Sequence, residues 1–432
     1  MQPFNQQAIL FGSSFSIAEF RDSNRYNMIS FDNTEYAFAY KTTAALKKAR
    51  FLFRTMGHPA ILKLGLSLMP AAIKLNIPFT KSIIRQTIFK QFVGGETLEQ
   101  TAAIADKLEE YNVQVILDYG VEGGDEGEIG FEHAAGEFIN VINYAATQKN
   151  IPFMSIKVTG FVRFGLLEKL DAAMHNSEGT LIKRYYKAVE DLPASENKEW
   201  QAAVTRLQRI CEIANEKKIG VLVDAEETWI QDPVDAITIL MMDTFNKERV
   251  VVYNTLQFYR HDRLAFLKES YTAAIERNFV LGAKIVRGAY MDKERKRAAE
   301  LGYTSPIQPD KKSCDFDYNT AVEFCISHLN NIAVIIASHN EYSCLYTTEL
   351  LDKKQLPHHH ANVHFSQLYG MSDNITFNLA RSGCSVSKYL PFGPIKDVVP
   401  YLMRRAQENS SVSGQTGREL GLIKKELLRR KQ

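Results

Sequence analysis

From about residue 96 onward, short β-branched runs alternate with longer amphipathic stretches. The runs predict strands at 113–119 (VQVILDY), 152–159 (PFMSIKVT), 219–226 (IGVLVDAE), 249–256 (RVVVYNTL), 280–288 (VLGAKIVRG), 331–338 (NIAVIIAS), 362–368 (NVHFSQL) and 385–393 (SVSKYLPFG). Helical spacing predicts helices near 98–111, 132–148, 201–217, 231–245, 260–277, 316–330, 342–354 and 395–410. Extra helical material falls near 165–176 and 181–190, and a long polar insert occupies 293–315. Eight strand–helix repeats predict an α/β fold, a (βα)8 TIM-like barrel with an N-terminal helical region. The alternative is a doubly wound open sheet, but no GxGxxG follows the first strand. The stretch GVEGGDEG at 120–127 is acidic, repels phosphates, and reads as a loop.

The N-terminal part has a different pattern. Residues 1–30 read as irregular, and helices are expected at 34–56, 59–75 and 81–93, with Pro70 kinking the second. The first carries Lys47, Lys48, Arg50 and Arg54, and the second is apolar. The pattern divides the chain into an arm or cap (1–95), the barrel (96–420) and a basic helical tail (421–432, GLIKKELLRRKQ). The arm and the tail each either pack on the barrel or touch a membrane surface.

Composition narrows the function classes. The chain has 432 residues, 45% of them hydrophobic, which suffices for a large core. A formal charge of +2 gives no sign of a nucleic-acid surface. Five cysteines without a CxxC pair argue for free thiols in a reducing compartment. No apolar run approaches the roughly 20 residues that span a bilayer. The N-terminus lacks the features of a secretory or mitochondrial leader. A cytoplasmic protein is expected, peripheral on the membrane at most, and bacterial rather than mitochondrial.

Polar residues crowd the predicted strand ends, where such barrels build their sites. They are Asp118, Lys157, Asp224 to Glu227, Asn254 and Gln257, Lys284 and Arg287, Ser338 to Glu341, His364 and Gln367, then Lys388 and Tyr389. Buried charges are costly unless paired or neutralised by a ligand. A metal centre is not expected, for there is no HxH on a strand and no HExxH. On the last helix Tyr401, Arg404, Arg405 and Glu408 share one side, being three, four and seven residues apart. The arginine pair is either a carboxylate clamp or a solvated face. Together Lys157, Lys284, Arg287, Arg404 and Arg405 exceed what one small carboxylate needs, and suit a phosphorylated ligand or cofactor.

The segments VLVDAEET, YNTLQFY, GAKIVRGAYMDKER, IIASHNE, FSQLYGM and YLPFGPIKDVVPYLMRRAQENSS resemble, in order, those of the proline dehydrogenase family. The resemblance covers roughly residues 96–430 and is closest to the monofunctional enzymes, with the aldehyde dehydrogenase module expected on a separate protein. It implies a distorted barrel holding FAD non-covalently. It implies oxidation of L-proline to Δ1-pyrroline-5-carboxylate, the first step of proline catabolism. Hydride passes from C5 to flavin N5, and the electrons go on to a membrane quinone.

Carried over position by position, the resemblance implies that Arg404 and Arg405 bind the proline carboxylate with Lys157 beside them. It implies that Tyr389 and Tyr401 line the ring pocket, that Tyr290 lies near flavin and substrate, and that Glu408 orients the arginines. Asp224 and Lys284 are the implied catalytic pair. Gln257, Lys284, Arg287, Gly288, Ala289, Ser338, His339, Asn340 and Gln367 are the implied cofactor contacts. A phenol at Tyr389 should crowd a ring hydroxyl, which favours proline over hydroxyproline. Asp224, a water, or prior deprotonation each account for the amine proton. Two other readings are a cofactor-free scaffold barrel and an enzyme acting on a phosphorylated metabolite.

Overall fold

The computed structural model describes residues 29–58, 65, 68–69, 72–73, 75, 77–120, 127–411 and 415–432, without the side chains of 408–411 and 415–416. The expectations for residues 1–28, for most of the helix at 59–75 with Pro70, and for the loop at 121–126 lie outside the described residues.

Eight strands close into a barrel: β1 (Gln114–Tyr119), β2 (Phe153–Ile156), β3 (Gly220–Val223), β4 (Val252–Gln257), β5 (Leu281–Val286), β6 (Ile332–Ala337), β7 (Val363–Leu368) and β8 (Val386–Phe392). Every neighbouring pair is parallel, and β8 closes on β1 with Ile116 opposite Tyr389. The strands are buried on both faces, which is why they read as near-continuous apolar runs. Inside the barrel Ile116, Leu222, Tyr253, Ala333 and Ile335 form a small plug. The main core lies outside it, between strands and helices. Gly282 permits the β4–β5 approach, since a Cβ there would stand 2.2 Å from the Val252 carbonyl oxygen.

A second core ties the termini together. The helix Thr43–Met56 packs against the C-terminal helix Gln415–Arg429, burying Leu46, Phe53, Leu422, Ile423 and Leu427. The helix Ile395–Ser411 contributes Val398 and Leu402. The arm also touches the barrel mouth. Gln91 donates to the Gly370 carbonyl at 2.8 Å, and Gly94 donates to Pro391 at the end of β8 at 2.7 Å.

Three local expectations change. The helix expected at 34–56 is two, Thr34–Ala37 and Thr43–Met56, because Thr42 is extended and caps the second through Ala45. The polar insert at 293–315 carries a helix, Met291–Leu301. A helix at Asp373–Arg381, between β7 and β8, has no counterpart among the predicted elements. Its short apolar stripe is interleaved with polar residues that are themselves buried, Asp373, Asn374, Thr376 and Asn378 among them. Asn374 donates to the Phe31 carbonyl and to Glu341, and Asn378 donates to the Asn33 carbonyl.

Candidate active site

Strand periodicity sets the innermost layer of the site. Side chains two apart share a face, so Asp118 lies above Ile116 on β1, and Ser155 above Phe153 on β2. Lys284 on β5, Tyr389 on β8 and Asp224 just after β3 complete the ring. Ser155 Oγ donates to Asp118 Oδ1 at 3.0 Å and lies 2.7 Å from Tyr389 Oη, which donates to Asp224 Oδ2 at 2.7 Å. Lys284 Nζ forms an ion pair with the other Asp224 oxygen and stands 5.3 Å from the centre of the Tyr389 ring. Burial pushes the Asp118 carboxyl up to about 6, with Asp224 adding to the rise and Lys157 opposing it.

A second layer stands toward the opening. Lys157 follows β2 directly and precedes a single 3-10 turn, Val158–Gly160. Glu226 accepts from the Thr159 hydroxyl at 2.7 Å and from its amide at 3.3 Å. Burial raises the Glu226 carboxyl to about 7 against the pull of Lys157. Tyr290 caps the helix Met291–Leu301 in a left-handed conformation, φ 44°. Burial pushes its phenol up to about 12, while Lys157 and Arg404 pull it down and Glu226 pushes it up. Those influences put Lys157, Glu226, Tyr290 and Arg404 around one space. On the helix Ile395–Ser411, Tyr401 and Arg405 are buried, with the Arg405 guanidinium 5.2 Å from the Tyr401 ring centre. Glu408 lies on that helix, with its side chain outside the described residues.

The ends of β5 and β6 form a third, cationic group. Arg287 stacks on Tyr318 at 3.9 Å, pairs with Asp315 at 2.7 Å, and donates to Ser338 at 2.9 Å and Ser343 at 2.7 Å. His339 Nδ1 lies 2.8 Å from Ser372 Oγ. Burial drives this imidazole down to about 3, and the charges of Lys388, Arg405 and Arg287 add to the fall, so it is neutral. The region is therefore buried, rich in hydrogen-bond donors and in the field of three cationic side chains, one of them compensated by Asp315. The backbone turns sharply here, with Gly288 at φ +93°.

These features meet a family by sequence. The proline dehydrogenase family profile matches residues 101–418. The chain belongs to the proline dehydrogenase family. It is 32% identical over 376 residues to Proline dehydrogenase 1, mitochondrial, of Dictyostelium discoideum, covering 80% of this chain and 65% of that protein. It is 29% identical to Hydroxyproline dehydrogenase of Xenopus laevis, covering 91% of this chain and 88% of that one. Among solved structures it resembles proline utilization A from Bdellovibrio bacteriovorus with a TM-score of 0.66 and 19% identity, over 90% of this chain and 40% of that one. The chain thus spans slightly under two thirds of the Dictyostelium protein and well under half of the bacterial one.

Within the family framework the remaining candidates divide. Asn340 caps the helix Glu341–Lys353 through the Ser343 amide. Gln257 donates to the Glu226 carbonyl at 2.6 Å and to Tyr259 at 2.8 Å. Gln367 donates to the Ser338 carbonyl at 3.1 Å and accepts from Thr376 at 2.8 Å, so its amide braces the β6 exit. Ala289 packs beside Tyr259, Ile307 and Cys314. Lys388, counted among the strand-end polar groups, points to the outer side. It is fully buried against Asp373 at 2.9 Å and the Met371 carbonyl at 2.6 Å. Asp373 also accepts Lys41 at 2.8 Å and Tyr40 at 2.9 Å, which fastens the arm to the barrel. The sequence reading missed Ser155, Thr159, Asp315 and Ser343. Only Ser155 had a signal, since it falls two residues before Lys157 on an alternating strand.

Proposed function

We propose that this protein oxidises L-proline to Δ1-pyrroline-5-carboxylate with FAD bound at the barrel mouth, and passes the electrons to a membrane quinone. The observation that carries the reading is the stacking of two charge sets at one barrel end, inside a chain of this family. Lys157 and Arg404 act on Tyr290, Arg405 lies on the same helix as Arg404, and these three would hold the substrate carboxylate beside the Asp224–Lys284–Tyr389 floor. A separate cationic set around Arg287 lies beside it.

The donor chemistry at β5 and β6 fits FAD. Arg287, the Ser338 hydroxyl and neutral His339 would hold its phosphate portion, and Gln257 and Lys284 its ring. When bound, FAD supplies the hydride acceptor. This chain's own residues do the rest. The arginine forks fix the carboxylate end of a small ring, Tyr389 and Tyr401 wall its faces, and burial excludes water. Tyr389 is fixed at two points, so its phenol obstructs a ring hydroxyl, and proline is the favoured substrate over hydroxyproline.

Peripheral membrane contact rests on the arm. A cleft of about 860 Å3 between the helix Thr43–Met56 and the helix Leu98–Glu109 is rimmed by Lys47, Lys48, Lys90 and Lys107. Phe51 lines it and is 71% exposed, and Phe79, which precedes the helix Thr80–Ile84 of the arm, is 82% exposed. Among the described residues no helix is long and apolar enough to cross a membrane. A basic rim with protruding aromatics suits the surface of an anionic bilayer.

The decisive experiment is proline-dependent reduction of a dye by purified protein, with a visible flavin spectrum taken before and after added FAD. The expected result is a flavin spectrum and turnover of proline well above hydroxyproline. Turnover should persist when a quinone analogue in anionic vesicles replaces the dye. A protein that stays colourless with FAD and inert to proline would overturn the proposal and favour a cofactor-free barrel.

A further inference from the structure

The chain of contacts on the barrel floor poses a counting problem. Asp118, Ser155, Tyr389 and Asp224 are joined by three contacts of 3.0, 2.7 and 2.7 Å. Each is a hydrogen-bond distance, so each requires one proton. Ser155 and Tyr389 own one hydroxyl proton apiece. If Ser155 donates to Asp118 and Tyr389 to Asp224, nothing is left between the two hydroxyl oxygens, which stand 2.7 Å apart. Two lone-pair oxygens do not rest at that distance inside a low-dielectric barrel. The third proton has to come from a carboxyl group at one end.

We propose that these contacts are the loaded state of a proton wire: Asp118 and Asp224 share a single proton through Ser155 and Tyr389, and once that proton has left to solvent the emptied wire receives the proton released by the substrate amine. The wire has two fully bonded states. In one, Asp118 donates to Ser155, Ser155 to Tyr389, and Tyr389 to Asp224. In the other, Asp224 donates to Tyr389, Tyr389 to Ser155, and Ser155 to Asp118. Passing from one to the other moves one proton's worth of charge across the barrel while each hydroxyl keeps one proton. In use, starting from the emptied wire with both carboxylates charged, an amine N–H bond breaks at the Asp224 end, each hydroxyl passes one proton on, and an O–H bond forms at Asp118. No electrons move along the wire. The Lys284 ammonium, paired with Asp224, favours the state with the proton at Asp118.

Asp118 thereby becomes a positioning residue that acts through two hydroxyls. The groups acting on it are Asp224, Lys157, Ser155 and Tyr389, with Lys284 acting through Asp224. Burial and the Asp224 charge raise its carboxyl to about 6, with Lys157 opposing, so the wire fills as pH falls through that value and empties above it. Near neutral pH it is poised to accept.

The inference rests on the proposed function for its proton source only, so the test has one readout without substrate. Infrared difference spectra between about pH 5 and about pH 8 should show a protonated-carboxyl stretch that fills at the acid end. Glu226, Glu419 and Asp171 fill in the same range, so the band should lose one carboxyl's share, the part with a midpoint of about 6, in Asp118→Asn. In Ser155→Ala, where both carboxyls remain but the link is cut, that share should persist with a displaced midpoint. The second readout is the pH profile of kcat/KM for proline. Asp118→Asn should lose about 100-fold, the lower end for assisted proton transfer, and Ser155→Ala should show a displaced acid limb. Spectra of wild type and Asp118→Asn that coincide would overturn the shared proton, even if proline is oxidised. A band that behaves as stated beside an unmoved pH profile in Ser155→Ala would overturn the wire's part in catalysis. A protein with the band but no proline oxidation would instead count against the substrate assignment and leave the shared proton standing.

Discussion

Tyr389 is held at both ends of its reach, by Ser155 at 2.7 Å and by Asp224 at 2.7 Å, so its ring cannot swing aside for a larger substrate. Replacing it with serine opens the wall. The ratio of kcat/KM for proline to that for hydroxyproline should then fall by about tenfold, roughly 1.4 kcal/mol of discrimination. A ratio cancels any general loss of rate from a cut proton wire, and an unchanged ratio would remove Tyr389 from the specificity wall. Tyr290 carries strain of another kind. A non-glycine residue at φ 44° costs about 1–2 kcal/mol, and here it turns the β5 exit so that the phenol faces Lys157 and Arg404. Polar identity at predicted strand ends marked Asp224, Lys284 and Tyr389 in advance, the family resemblance alone suggested their roles, and strand parity turns Lys284 and Tyr389 inward. The same parity turns Lys388 outward, one residue from Tyr389 and on the opposite face.

The arm and the C-terminal helix form one packing unit, although they lie at opposite ends of the chain. The helix Gln415–Arg429 begins before the boundary at 421 drawn from charge, and it buries Leu422, Ile423 and Leu427. Arg430 donates to the carbonyls of Lys41 and Phe38, both at 2.8 Å. Its basic residues thus solvate a packed helix. Deleting 421–432 removes three buried aliphatic side chains worth about 1.5–3 kcal/mol each. The expected outcome is a lower melting temperature and rapid proteolysis within Thr43–Met56, since that helix loses its partner. Cleavage and melting like those of the full chain would contradict this. The helix Asp373–Arg381 shows why some elements stayed illegible. It is short, and its polar residues find partners inside the protein, Asn374 and Asn378 on the arm, Thr376 on Gln367 and Asp373 on Lys388, which no local pattern announces.

Across the whole molecule, buried carboxyls set the response to pH. Burial holds Glu226 at about 7, Glu419 at about 7 and Asp171 at about 8, all above the ordinary range near 4. The folded chain therefore binds more protons than the unfolded one, and stability falls as pH rises through these values. His339 and His364, each lowered to about 3 by burial, act oppositely below about 6.5, where they must charge on unfolding. From about pH 4 the three carboxyls outweigh the two histidines, and stability should decline more steeply from about pH 6.5, where the histidines no longer oppose them, to about pH 8. Calorimetry on the wild type should show that decline, and Asp171→Asn should flatten it. A melting temperature that rises across the interval would contradict the assignment. Asp171 is the cleanest choice because Glu419 belongs to a cluster with Asp373, Lys41 and Lys388, where charges compensate.

Sequence alone marked the eight strands, their alternation with helices and the family, because strand period and linked motifs are local properties. It also determined which residue types stand at the strand ends. Only the tertiary structure decided which of those groups meet. Ser155 sits between Asp118 and Tyr389 because β8 pairs with β1 and β1 with β2. That neighbourhood joins residues more than two hundred positions apart, and it is created by barrel closure, which no local pattern encodes. The proton count on the barrel floor follows from that closure alone.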